Sequence, residues 1–107
     1  MKEEVFYGKG MGKLKEDYKE IYDVIVDLNE VVWSGEALDY KTQKLIAIGI
    51  AASNTDVRAT KKQIQSAKKE LDVSREEVMD VLKVVLLTSG MQSFNNALQI
   101  TNEIFNE

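Results

Sequence analysis

Residues 39–74 read DYKTQKLIAIGIAASNTDVRATKKQIQSAKKELDVS, and the fold is decided here. From Leu45 to Ala52 the chain is apolar on every side. After Ser53-Asn54-Thr55-Asp56 it becomes amphipathic. Val57, Ile64, Ala67 and Leu71 recur at helical spacing on one face, and Arg58, Lys61, Lys62, Lys68 and Lys69 lie on the other. Asp39 is placed to cap a helix from about Tyr40 to Ser53, and Thr55 or Asp56 to open a second that ends near Leu71. A segment apolar all round predicts a central helix, and Gly49 with its flanking alanines leaves room for close backbone approach. The break is where a chemical site is expected, because a buried helix there hands over to a new helix N-terminus.

Upstream, Met11, Leu14, Tyr18, Ile21, Ile25, Leu28 and Val32 alternate steps of four and three. That heptad seam predicts one helix from Lys13 to about Trp33, facing partner helices. Gly35 is the expected left-handed cap. Residues 1–12 read as an N-terminal arm, with Val5-Phe6-Tyr7 as a small apolar knot; Gly8, Gly10 and Gly12 form no phosphate fingerprint, since no strand precedes them. Downstream, Ser74-Arg75-Glu76-Glu77 is a capping box. It opens a helix to about Ser89 with Val78, Val81, Leu82, Val85 and Leu86 inside and Val84 and Leu87 extending its apolar surface. Gly90 breaks the chain, and a last helix from about Gln92 turns Phe94, Ala97, Leu98, Thr101, Ile104 and Phe105 to one side.

The 107 residues carry a net charge of −4, are 44% hydrophobic and contain no Cys, His or Pro. The length suits one domain over 1–107, small enough that pairing with further copies would bury more surface. Without Cys or His there are no disulfides, no thiol redox chemistry and no imidazole base, and neither a metal site nor a cofactor is implied. Asp and Glu remain as acid–base groups. No apolar run is long enough to span a bilayer and no signal peptide is seen, so a cytoplasmic protein is expected.

This order of elements resembles the carboxymuconolactone decarboxylase family, which includes the alkyl hydroperoxidase D-like proteins. The resemblance rests on Gly35-Glu36-Ala37-Leu38-Asp39-Tyr40-Lys41-Thr42 leading into LIAIGIAA, the Ser53-Asn54-Thr55 break, the Val73-to-Val78 helix start, and Gly90 with Asn95-Asn96-Ala97 beyond it. It implies an all-α bundle of five to six helices that assembles through apolar helix faces into a trimer or hexamer. The family's peroxidases are similar to one another in a Cys-x-x-Cys-x-x-x-His at the start of helix three and a relay Glu on helix two. The helix N-terminus and a nearby base make the first thiol reactive. Laid on that pattern, Asp56 and Ala59 hold the Cys slots, Gln63 the His slot and Lys44 the Glu slot; a shift of one residue gives Val57, Thr60 and Ile64 instead. The decarboxylating members keep histidines where Gln63 and Asn96 stand here.

Complementary charges in two slots predict an ion pair or a water-bridged contact between Lys44 and Asp56; the plainer alternative is that Asp56 caps its helix while Lys44 reaches solvent. Three functional readings follow, in this order. The first is a family member without thiol peroxidase chemistry that binds a small molecule or serves assembly. The second is a decarboxylase or lactone-processing enzyme using Asp56, Lys44, Gln63, Asn96 or Tyr40. The third is a basic-helix module that holds anions or nucleic acid through Arg58, Lys61 and Lys62; against it stand the negative net charge and the lack of interleaved aromatics.

Overall fold

The computed structural model describes residues 9–106, which form six α-helices and no strand. They are α1 (Lys9–Asp17), α2 (Lys19–Val32), α3 (Tyr40–Ser53), α4 (Val57–Leu71), α5 (Arg75–Ser89) and α6 (Met91–Ile104). The expected all-α architecture is met, and the Val5-Phe6-Tyr7 knot lies outside the described residues. None of the helices is long and apolar enough to cross a membrane. The chain divides into two compact units, one ending at Tyr40 and one beginning at Lys41.

In the first unit the single helix expected over Lys13–Trp33 is two helices, and helix already covers residues 9–12 of the expected arm. Tyr18 leaves the helical region, at φ −141° and ψ 65°, although its N–H still reaches the Leu14 carbonyl at 2.7 Å. Apolar periodicity reports spacing, not dihedral angles, so it could not register this corner. Within one copy the seam is largely uncovered. Its members Ile21 and Leu28 are 50% and 60% exposed, while the buried residue of α2 is Tyr22, whose ring carries the Lys15 ammonium 5.5 Å from its centroid. Helix α2 closes on a side-chain ladder: Trp33 Nε1 donates to Asn29 Oδ1 at 3.1 Å, and Asn29 Nδ2 donates to the Ile25 carbonyl at 2.9 Å. Gly35 follows at φ +69°, and a β-carbon there would lie 3.0 Å from the Leu38 carbonyl oxygen. Both conformation and space therefore demand glycine at this turn.

The second unit holds the aliphatic core. Ile48 and Ala52 of α3, Ile64 and Ala67 of α4, Val78, Leu82 and Val85 of α5 and Ala97, Ile100 and Ile104 of α6 form one buried cluster with Val73. Helix α6 packs against both α4 and α5. It takes the central place that all-round apolarity had assigned to α3. Ile46 and Ile50 of α3 remain 46% and 58% exposed, while Lys44, Ile48, Ala51 and Ala52 are its buried residues. Helix starts follow the chemistry read from the chain. Ser74 accepts from Glu77 N–H at 3.1 Å while Glu77 Oε1 accepts from Ser74 N–H at 3.0 Å, a complete capping box. Asp56 caps α4, and Asp72 ends it in the left-handed conformation at φ 53°. Gly90 turns the chain between α5 and α6 at φ +97°.

Candidate functional site

Lys44 sits on the inner side of α3, one turn before Ile48, and is fully buried. Its Nζ donates to Gln63 Oε1 on α4 at 2.8 Å. Burial pushes the ammonium down to about 8, against a smaller opposing pull from the Glu70 carboxylate, about two turns beyond Gln63 on α4. Asp56 takes no part. Its Oδ1 accepts the Ala59 N–H at 3.0 Å, and its carbonyl oxygen accepts the Thr60 hydroxyl at 2.7 Å. The expected Lys44–Asp56 ion pair is thus replaced by a Lys44–Gln63 hydrogen bond, because the α4 N-terminus offers Asp56 unsatisfied N–H groups while Gln63 lies beside the buried amine. The Glu slot and the His slot do meet, but as an amine and an amide. The two Cys slots meet through the Ala59 N–H alone. Asn96 is half-buried on α6, and no hydrogen bond joins it to Lys44 or Gln63.

In the shifted register Val57 is 54% exposed, not on the inner face as its spacing suggested, while Thr60 and Ile64 are buried. Tyr40 stacks edge-to-face on Trp33 at 5.6 Å. Arg58 and Lys61 are exposed and Lys62 is half-buried. Among the described residues no group of acidic side chains gathers that could hold a metal ion.

Two features of this region carry no sequence motif. The first is a staple of hydroxyls between the break at 53–56 and the break at 89–93. Ser53 and Ser89 share a hydrogen bond at 2.6 Å, Ser93 donates to the Ser53 carbonyl at 3.2 Å, and Ser93 and Thr55 share one at 2.9 Å. Thr55 is held at φ 55°, a conformation a β-branched residue adopts only under constraint, and Ser93 is buried. The second is a groove of about 440 Å³ between α3 and α5. Leu45, Ile46 and Ile50 form one wall and Val81, Val84 and Val85 the other. Its floor is thin at Gly49, where a β-carbon would meet Val81 Cγ1 at 3.3 Å. Ser53, Asn54 and Thr88 line the groove beside the staple. Only the apolar excess of α3 and α5 hinted at it, since periodicity cannot tell a covered apolar edge from an open one.

Residues 19–103 match the model of the carboxymuconolactone decarboxylase family. The chain belongs to this family. Two uncharacterised proteins of Methanocaldococcus jannaschii are similar to it. One is 57% identical over 104 residues, covering 97% of this chain and all of the relative. The other is 33% identical over 91 residues, covering 85% of this chain and 84% of the relative. Among solved structures, an apo carboxymuconolactone decarboxylase family protein from Legionella pneumophila superposes with a TM-score of 0.79 at 24% identity, over 89% of this chain and 87% of its own. That likeness speaks for the fold. At the positions the sequence resemblance assigned to the relay stand a buried lysine and a glutamine.

Proposed function

We propose that this protein is a carboxymuconolactone decarboxylase family member without thiol chemistry, whose working element is a small-molecule binding groove between α3 and α5. The observation that carries the reading is the groove itself, open to solvent beside the break where the family places its reactive groups. The slots behind it support binding over catalysis. Lys44 is fully buried and tied to Gln63, Asp56 is committed to its cap, and a chain without Cys has no thiol for peroxidase chemistry. A volume of about 440 Å³ lies within the range of roughly 300–1,000 Å³ of small-molecule sites.

Titration with an environment-sensitive naphthylamine dye tests this. Saturable enhancement at one dye per chain is expected, lost in Val84→Glu, which places a charge on the groove wall, and kept in Leu87→Glu, outside the groove. Equal binding by both variants sinks the proposal. A second reading, self-assembly into a trimer or hexamer, is favoured by α2, where Ile21, Val24, Leu28 and Val31 are 50–72% exposed. Sedimentation of the wild type beside Val24→Glu/Leu28→Glu tests it: the reading requires a larger wild-type particle that the double substitution splits.

A further inference from the structure

From the chemistry of the groove we infer the class of its ligand: a neutral aliphatic alcohol, with its hydrocarbon body between α3 and α5 and its hydroxyl at Ser53, Asn54 and Thr88. The inference rests on the groove being a binding site, as proposed above. Seven of the eleven lining residues are aliphatic or glycine, and the other four, Thr42, Ser53, Asn54 and Thr88, are polar but uncharged. No charged side chain lines the groove, so a carboxylate or ammonium at this rim meets no opposite charge, whereas a neutral head finds hydrogen-bond partners. The body of the ligand is therefore apolar and its head neutral.

The hydroxyl rim narrows the head further. Thr88 spends its proton on the Val84 carbonyl at 2.8 Å, so toward Ser89 Oγ at 3.4 Å or any further partner its oxygen can only accept. A head group that meets Thr88 must carry a donor, which ketones, ethers and esters lack. Ser53 shares one hydrogen with Ser89, and either oxygen can be the donor. Ser53 can thus accept from the head or, with Ser89 donating to it, give its own proton outward. Asn54 brings a carboxamide, which both donates and accepts. An alcohol, donor and acceptor in one atom, satisfies this rim; a bare hydrocarbon leaves it unsatisfied.

Nuclear magnetic resonance titration with decanol, decanoate and decylammonium, below their aggregation concentrations, reads this directly on the full chain. Decanol should shift the amides of Gly49, Ser53 and Thr88. Decanoate and decylammonium should bind at least about tenfold more weakly. Thr88→Val, which keeps the shape and removes the acceptor, should weaken decanol by roughly two- to tenfold. Val84→Lys should bring decanoate in ahead of decanol. If the dye of the previous section binds but decanoate or decylammonium equals decanol in the wild type, the alcohol assignment falls and the groove stands. If neither dye nor any decyl compound binds, and the same amides shift instead with protein concentration, a second copy covers the groove and both readings fall.

Discussion

Lys44 is fully buried, and burial shifts its amine far from the value of a free lysine. Its amine titrates near 8 when folded and at 10.5 when free, so between those values the unfolded chain holds more protons than the folded one. Stability should therefore rise with pH across that window, and below about 8 the buried ammonium works against folding. Urea denaturation at pH 7.5 and pH 10 measures it. The wild type should gain stability relative to Lys44→Met by on the order of 2 kcal/mol across the interval, and parallel pH profiles would refute the argument. The comparison is of slopes, since Lys44→Met also strips Gln63 of its hydrogen bond. None of this was legible in the chain. Lys44 and Gln63 are separated by nineteen positions, and although the family slots set both in one relay, complementary charge in the facing slot drew Lys44 toward Asp56. Asp56 could be read as a cap because capping is a local event; the Lys44–Gln63 contact depends on how two helices cross.

At the scale of the helix and turn, local chemistry was a good guide wherever the signal sat within four residues. Ser74 and Glu77 form the box that their spacing announced, and Gly35 and Gly90 turn the chain at positive φ where the apolar pattern stopped. Two outcomes follow. Ser74→Ala should cost about 1 kcal/mol, read from the denaturation midpoint, with the residual cost lying in the loose end of α5. Gly35→Ala should cost about 1–2 kcal/mol, since alanine meets both an unfavourable φ and the Leu38 carbonyl. A neutral Gly35→Ala would mean the turn between α2 and α3 takes another form. The corner at Tyr18 escaped for the complementary reason: apolar residues on either side of it keep their spacing through a change of backbone direction. The open edge of α3 escaped because burial belongs to a helix and its neighbours together.

For the molecule as a whole, the buried core lies in the unit that begins at Lys41, whereas Tyr22 is the buried residue of α1 and α2 among those described. Opening free energies should differ accordingly. In dilute solution the amides of α2 should exchange with solvent at least about a hundredfold faster than those of α6 around Ala97 and Ile100. If α2 joins copies together, its protection should climb with protein concentration while that of α6 stays constant. Exchange that is uniform over both units at every concentration would contradict this division of stability. Family membership and the all-α architecture were both readable from the chain, through the LIAIGIAA helix, its break and the later capping box. The fate of the exposed apolar faces was not, because partners are not written into one copy's periodicity.

Gly49 has a consequence of its own. A β-carbon added to it on α3 would stand 3.3 Å from Val81 Cγ1 of α5. In a helix interior glycine gives up roughly 1 kcal/mol against alanine, so its presence here exchanges helix stability for narrow spacing. Residue size at this position acts as a gauge for the distance between the two helices. A methyl group would ask Val81 to yield by a few tenths of an ångström; anything larger would wedge the helices apart and widen the slot above them. Calibre could thus be reset by one residue beneath the groove, leaving every aliphatic wall and every hydroxyl of its rim unaltered.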